Sequence, residues 1–463
     1  MRKHSIKLAA VPVALALVAG ACGSDTDDGN ADEPDAEADA ADDDAMDDDA
    51  MDDDAMADMD FDGAEVSITG PERDDPSVAA IQDTLTEWGD SVGIDITYAG
   101  DADWEANIDT QVEGGNPPNI SIFPQPGKLA DFARAGSIVA LSDDVNAAID
   151  DAWIEDFQLN GNVDGDQFGV PVKTDLKSLV WYQPARFEAA GYAVPTTIDE
   201  FSALMDTMVA DGNTPLCVGI ESGQATGWTF TDWTEEMVLR QHGGDVYDQW
   251  VSNEIPFDDE RIVESMQTVV DFWSEDNVFA SGGSIAATNF GDNAQPLVDG
   301  NCFMHRQASF FAGFFPEGTV FADGSEDAVD TFYFPDINGD SPALTAGTYA
   351  AAFTDDDATM AVLAYMAGPE YAQTRQEKQT AELDGGLSGF LSAAQGQDPS
   401  VYQPLEQGFL EILNSAQLAR FDASDLMPAV VGAGSFWSEG TSLVNGSSTA
   451  EEAAAAIQAT WPT

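Results

Sequence analysis

The sequence predicts an α/β protein of two lobes. Three observations lead there. The chain has 463 residues, too many for one ordinary hydrophobic core. From residue 64 onward, strand-like and helix-like segments alternate in regular order. A second α/β block begins near Asp175.

The elements follow in sequence. In Glu65–Gly70, Val66 and Ile68 alternate with polar neighbours, as a half-buried strand does. Ser77 is expected to cap a helix running to Asp90, with Val78, Ile81, Leu85 and Trp88 on one face. Ile94–Tyr98 reads as a second strand. Trp104–Val112 reads as a helix, stopped by Gly114-Gly115-Asn116-Pro117-Pro118. Ile120–Phe123 is a third strand, and Leu129–Ala135 a helix closed by Gly136. This order implies an open, mainly parallel sheet, which binds ligands beyond the carboxyl ends of its strands. Those ends lie at Gly100–Trp104 and Phe123–Pro126. In the second block, Leu179–Tyr182 and Leu216–Ile220 read as strands, and Trp233–His242 and Arg261–Phe272 as helices. From Asp357 the chain reads as mostly helical, with Ala-rich stretches such as Glu451–Ala459. From residue 64 onward no repeat of fixed period is present.

Charge narrows the function. The chain carries 86 acidic and 15 basic residues, a net of −71. A nucleic-acid binder needs Lys and Arg against phosphates, so that role is excluded, as is docking on anionic lipid through basic patches. Three cysteines exclude a scaffold of many disulfides. No apolar run reaches the roughly 20 residues of a membrane span. Residues 23–62 hold 20 acids and no base, with Asp-Asp-Asp-Ala-Met repeated. Such a tract repels itself and reads as an extended tether. Beyond it, 66 acids face 12 bases. That surface suits a salty habitat, where screening weakens self-repulsion.

The N-terminus reads as an address. Arg2, Lys3 and Lys7 precede an apolar stretch, Leu8–Ala21, too short to span a bilayer. Val18-Ala19-Gly20-Ala21-Cys22 resembles the lipobox of bacterial lipoproteins, with Ala19 where Leu is usual. The resemblance implies a signal peptide over 1–21 and a lipid on Cys22. Residues 22–62 then tether the chain to the outer side of a cell membrane, which it meets through the anchor only.

Several stretches resemble the extracellular solute-binding proteins of carbohydrate ABC importers, the family of maltose-binding proteins. They are Glu113-Gly114-Gly115-Asn116-Pro117-Pro118-Asn119-Ile120, Gly165-Asp166-Gln167-Phe168-Gly169-Val170-Pro171-Val172, Gly368-Pro369-Glu370-Tyr371-Ala372-Gln373, and Met427-Pro428 followed by Ser435-Phe436-Trp437. Val218–Trp228, Thr231-Asp232-Trp233 and Cys302–Ser309 look like the α-glucoside-binding subgroup. The resemblance covers roughly residues 64–463. It implies a two-lobed periplasmic-binding-protein-like fold with a hinge and a central ligand cleft. Crossings are expected near 172–176, 331–337 and 353–357. Lobe one is then 64–173 plus 336–354, and lobe two 176–331 plus 356–463. The implied partners are an α-glucoside and the permease subunits of an importer. The protein is expected to act as a monomer, without cofactor, metal or nucleic acid.

A sugar site needs aromatic faces, planar polar groups and a cleft that expels water. Trp228 and Trp233 flank Asp232, so two indoles surround a carboxylate, though either Trp is alternatively core. Trp437 matches the aromatic position of the maltose-binding segment, with helix packing as the other reading. Arg306 either grips sugar hydroxyls or a cleft carboxylate, or serves a structural ion pair; Gln307 is a second contact. Lys173 reaches the ligand from the first crossing, whereas Lys177 is equally well a surface charge. From lobe one come Phe123 and Gln125 after the third strand, and Tyr349 on the return. Asp103 and Trp104 follow the second strand, where an acid also complements a helix dipole. Cys217 and Cys302 are an even pair in an exported domain, either bridged or two buried thiols.

Other chemistries fit less well. A glycoside hydrolase needs two carboxylates at a set separation; with so many acids, no pair is informative. His4, His242 and His305 form no metal or triad pattern. Asp336–Asp340 begins like a calcium loop but has Ser341 at the glycine position and Gly347 at the glutamate position. Gly432-Ala433-Gly434-Ser435 lacks the lysine of a phosphate loop. Another oligosaccharide or a polyol remains the alternative ligand.

Overall fold

The first strand follows its alternation: Val66, Ile68 and Gly70 are buried, and the residues between them stay partly open. The computed structural model describes residues 61–462 apart from Asn338, Asp340 and Gly385. The expected leader 1–21, Cys22 and all but the last two residues of the tether lie outside the described residues. Among the described residues, no helix is long and apolar enough to cross a membrane. Along the chain the strands are β1 (Ala64–Gly70), β2 (Ile94–Gly100), β3 (Ile120–Phe123), β4 (Asn162–Val163), β5 (Asp166–Gln167), β6 (Val170–Leu176), β7 (Leu179–Tyr182), β8 (Leu216–Cys217), β9 (Val278–Phe279), β10 (Met304–Arg306), β11 (Asp330–Tyr333), β12 (Ala343–Ala352) and β13 (Ala419–Phe421).

Two sheets carry two α/β lobes. The first runs β13-β12-β3-β1-β2, with β6 beside β12. β1 pairs in parallel with β2 and β3, with Val66 opposite Ile96, as strand–helix–strand order requires. β12 runs antiparallel to β3 and β6. The second sheet runs β11-β7-β10-β8-β9. There β7 is antiparallel to both neighbours, and β8 is parallel to β10 and β9. β4 and β5 form a separate ribbon.

Several local readings shift. The first helix spans Asp75–Val92, and its cap is Asp74 rather than Ser77. The Asp74 side chain accepts the Ser77 N–H at 3.0 Å, so the serine is inside the first turn. The strand read over Leu216–Ile220 is regular only over Leu216–Cys217, although the Val218 N–H still bonds the Phe279 carbonyl at 3.2 Å. Cys217 and Cys302 form a disulfide with Cα atoms 5.5 Å apart.

The expected lobe-two span of 356–463 divides. Helices Asp357–Ala367 and Pro369–Glu382 pack on the first lobe, where Val362, Leu363 and Tyr371 share a core with Val66, Ile68 and Ile96. Asp357–Ala367 is apolar nearly all round, so it needs burial on several sides. The chain therefore does not leave the first lobe at 353–357. It passes from β6 to β7 through Lys177 and Ser178, and from β11 to β12 through residues 334–342. The helices Trp437–Val444 and Ala450–Gln458 do join the second lobe: Leu443, Ala453 and Ile457 share its core with Phe230 and Trp233.

Candidate ligand-binding site

A cavity of about 460 Å³ lies between the sheets, lined by Pro71–Asp74 after β1, Ala102 after β2 and Pro124–Gln125 after β3. These are carboxyl ends of parallel strands, where the sequence places the ligand. From the other side come Trp228, Asp232, Phe290, Phe310 and Trp437. Lys173 lines it from β6, Lys177 from the link between β6 and β7, and Asp422 from the end of β13.

Glycine brings the two indoles to one place. Gly227 has φ 114° and precedes the helix Trp228–Val251. A Cβ there would lie 2.3 Å from the Trp437 carbonyl oxygen. Only glycine permits both the backbone angle and this approach. Trp228 packs against Phe290 and Phe310, with ring centroids 4.9 and 6.0 Å away, and is half-buried. Trp437 is buried, and its indole N–H has no partner within the protein.

Asp232 follows Trp228 by four residues, so both occupy one helix face. Its Oδ1 accepts from Lys177 Nζ at 2.7 Å, and its Oδ2 lies 3.5 Å from Arg306 Nη1. Lys177 also bonds Asp422, and its ammonium stands 5.8 Å from the centre of the Trp228 ring. Burial raises the Asp232 pKa to about 7 against the pull of Lys177. Burial works against the Lys177 charge too, but Asp232 and Asp422 outweigh it and hold the lysine well above its usual range. Burial likewise opposes ionisation of Asp422, yet Lys177 holds it below the usual carboxylate range. Carboxylate oxygens of Asp232, Glu235 and Asp422 come within 4.8 Å of one another. The Lys177 ammonium is bonded to two of these three groups.

Of the twelve side chains nominated as ligand contacts, five line the cavity: Trp228, Asp232, Trp437, Gln125 and Lys173. Gln125 is buried with Oε1 unpartnered. Lys173 stands 3.3 Å from Asp175 and 5.4 Å from the Phe310 ring centre. The other seven lie elsewhere. Trp233 is core, edge-on to Trp273 and Phe334. Arg306 is buried outside the lining, where it pairs both with Asp232, a cleft carboxylate, and with Glu236, so it combines the carboxylate-gripping and structural readings. Gln307 accepts the Ala308 N–H with its Oε1. Phe123 and Trp104 pack edge to face inside the first lobe, and Trp104 donates to Ser121 at 2.9 Å. Tyr349 is buried and donates to the Phe157 carbonyl at 3.0 Å. Asp103 is exposed and outside the lining; a Cβ on Gly223 would lie 3.3 Å from it. Lys177 is a buried lining residue rather than a surface charge. Asp422, Glu72, Arg375 and Gln379 line the cavity without any local signal in the sequence.

The arrangement offers aromatic faces, buried carboxylates, ammonium groups and an amide around a space fit for a small polar molecule. Comparison with known proteins agrees. Residues 75–373 match the model of the bacterial extracellular solute-binding protein family. The chain is 36% identical over 421 residues to the alpha-glucosides-binding periplasmic protein AglE of Rhizobium meliloti, covering 87% of this chain and 88% of that protein. It is 35% identical over 394 residues to the osmoprotective compounds-binding protein GgtB of Synechocystis, covering 82% and 89%. In fold it is similar to a chitin oligosaccharide binding protein, with a TM-score of 0.71 at 17% identity over 86% of this chain and 98% of that one. It is also similar to maltose-bound MalE3 of T. maritima, with a TM-score of 0.66 at 16% identity over the same shares. The chain belongs to the bacterial extracellular solute-binding proteins, and its role is to bind a solute rather than to catalyse a reaction on it.

Proposed function

We propose that this sugar-binding component of an ABC importer takes a compact α-glucoside, a di- or short oligosaccharide. The observation that carries the reading is the cavity itself, where Trp228 and Trp437 meet the buried Lys177–Asp232 pair. An indole face suits the C–H face of a glucosyl ring, and the carboxylate suits its hydroxyls. The relative named for alpha-glucosides supports the ligand class. A cavity of about 460 Å³ falls within the usual range of small-ligand sites, roughly 300–1,000 Å³. Ligand bound between the lobes favours their closed arrangement, which the permease then reads. Lys177, Ser178 and residues 334–342 are the hinge segments. In this reading the chain acts as a monomer, exported by its leader and anchored outside the membrane through Cys22 and the acidic tether.

The second relative, named for osmoprotective compounds, favours a second reading: a small neutral osmoprotectant, such as a polyol. A thermal-shift screen separates the two, because a ligand that binds only the folded state raises its melting temperature. A rise with α-linked glucosides supports the first reading. A rise with a free polyol alone supports the second.

A further inference from the structure

At the first-lobe end of the same cavity, a buried guanidinium is held only at long range and keeps one donor open. Arg375, in the helix Pro369–Glu382, is 1% exposed and stacks 4.1 Å from the Phe390 ring centre. Its Nη1 reaches the Tyr371 hydroxyl at 3.5 Å, and its Nη2 stands 3.9 Å from Glu72 Oε1. Its Nε has no partner. Two acceptors nearby are also open. Glu72 Oε1 accepts no hydrogen bond. Gln379 donates to Ser77 at 3.1 Å and to the Ser388 carbonyl at 2.7 Å, which leaves its Oε1 unpartnered. Glu72, Arg375 and Gln379 all line the cavity.

A buried polar group without a partner is costly, and a guanidinium more so. Here one donor and two acceptors stay open in one place. A hydroxyl answers both needs, since it accepts and donates at once. Two adjacent hydroxyls answer them best, one toward Arg375 and one toward the acceptors. A carboxylate or phosphate ligand would meet the Glu72 charge, so a neutral polyhydroxyl group fits better.

We propose that Glu72, Arg375 and Gln379 form a second hydroxyl-binding end of the cavity, which takes a vicinal diol on the part of the ligand beyond the glucosyl ring. The proposal rests on the α-glucoside reading and adds what that reading leaves open: the site selects the aglycone. A site built to bond hydroxyls rejects analogues that lack them.

Calorimetric titration of the full chain tests this. Maltose, trehalose and sucrose carry a second ring with adjacent hydroxyls; methyl α-glucoside does not. The wild type is expected to bind the tightest of the three at least about tenfold better than methyl α-glucoside. Arg375→Lys keeps the charge but loses the planar donors. It should reduce that preference to below about threefold. Glu72→Gln, at the edge of the site, should do the same and serves if the arginine variant does not fold. A structural role would weaken both ligands alike and keep the ratio, which would overturn the proposal. Binding of methyl α-glucoside as tight as any disaccharide would also overturn it while leaving the α-glucoside reading intact. No binding of any α-glucoside would overturn both.

Discussion

Lys177 Nζ lies 2.7 Å from Asp232 Oδ1, with both side chains almost closed to solvent. The two come from different parts of the fold. Lys177 sits where the chain passes from β6 in the first sheet to β7 in the second, and Asp232 lies on a second-lobe helix. Asp422, directly after β13 of the first sheet, holds the same ammonium. One lysine thus ties a hinge segment to carboxylates from both lobes.

Removing that lysine leaves two buried carboxylates without their shared cation. Lys177→Met is expected to destabilise the fold by roughly 3–5 kcal/mol, as breaking a buried ion pair does. Denaturant unfolding measures it. A loss below about 1 kcal/mol, typical of surface pairs, would show that the lysine does not hold the hinge.

Trp228 and Trp233 separate binding from stability. Trp228→Ala should weaken sugar binding by about tenfold or more, with a small change in melting temperature. Trp233→Ala should instead cost roughly 3–5 kcal/mol of stability, because it empties a packed core position. Paired titrations and melting curves read both. Equal effects of the two substitutions on binding would refute the placement of the site.

How far the sequence was legible follows from these residues. Parallel β1, β2 and β3 and the strand ends that line the cavity follow from alternation and turn signals. Trp228 and Asp232 are legible as an indole beside a carboxylate, but the helix begins at Trp228 rather than at Trp233, and this sets them four residues apart on one face. Trp233 is one residue further, about 100° round the helix, and so faces the core. Phe123, Trp104 and Tyr349 are aromatic residues beside the right loops, yet they point inward, and composition does not reveal direction. Lys177 reads as surface because buried lysines are rare; only the fold shows its two carboxylates. Arg375 and Gln379 come from a helix that the order of the chain suggests belongs to the other lobe.

Glu235 sets a pH dependence. Burial, with Asp422 and Asp232 nearby, raises its pKa well above the ordinary value, against the pull of Lys177. Its Oε1 accepts the Ser424 N–H at 3.0 Å, and its Oε2 has no partner. The folded state therefore keeps a proton that the unfolded chain loses near about pH 4.3. The stability this proton carries is fully present below that pH and is lost as pH rises toward the folded pKa, by at most about 1.4 kcal/mol per unit. Glu235→Gln removes the titration. Its melting temperature should gain on the wild type between about pH 5 and about pH 8. A constant or shrinking gap would contradict the assignment.

The anchor is testable in cells. Cys22→Ala should release the protein from the membrane fraction into the surrounding medium, since one lipid-bearing residue is its only proposed attachment. Retention of the variant would refute lipidation at that position.

The most direct measurement is a calorimetric titration of the full chain with trehalose, maltose and sucrose, beside a β-linked disaccharide and a free polyol. The account predicts saturable binding of at least one α-linked glucoside at one per chain, and none of the β-linked sugar or the polyol. Saturable binding of the β-linked sugar or the polyol, with no α-linked glucoside bound, would contradict it.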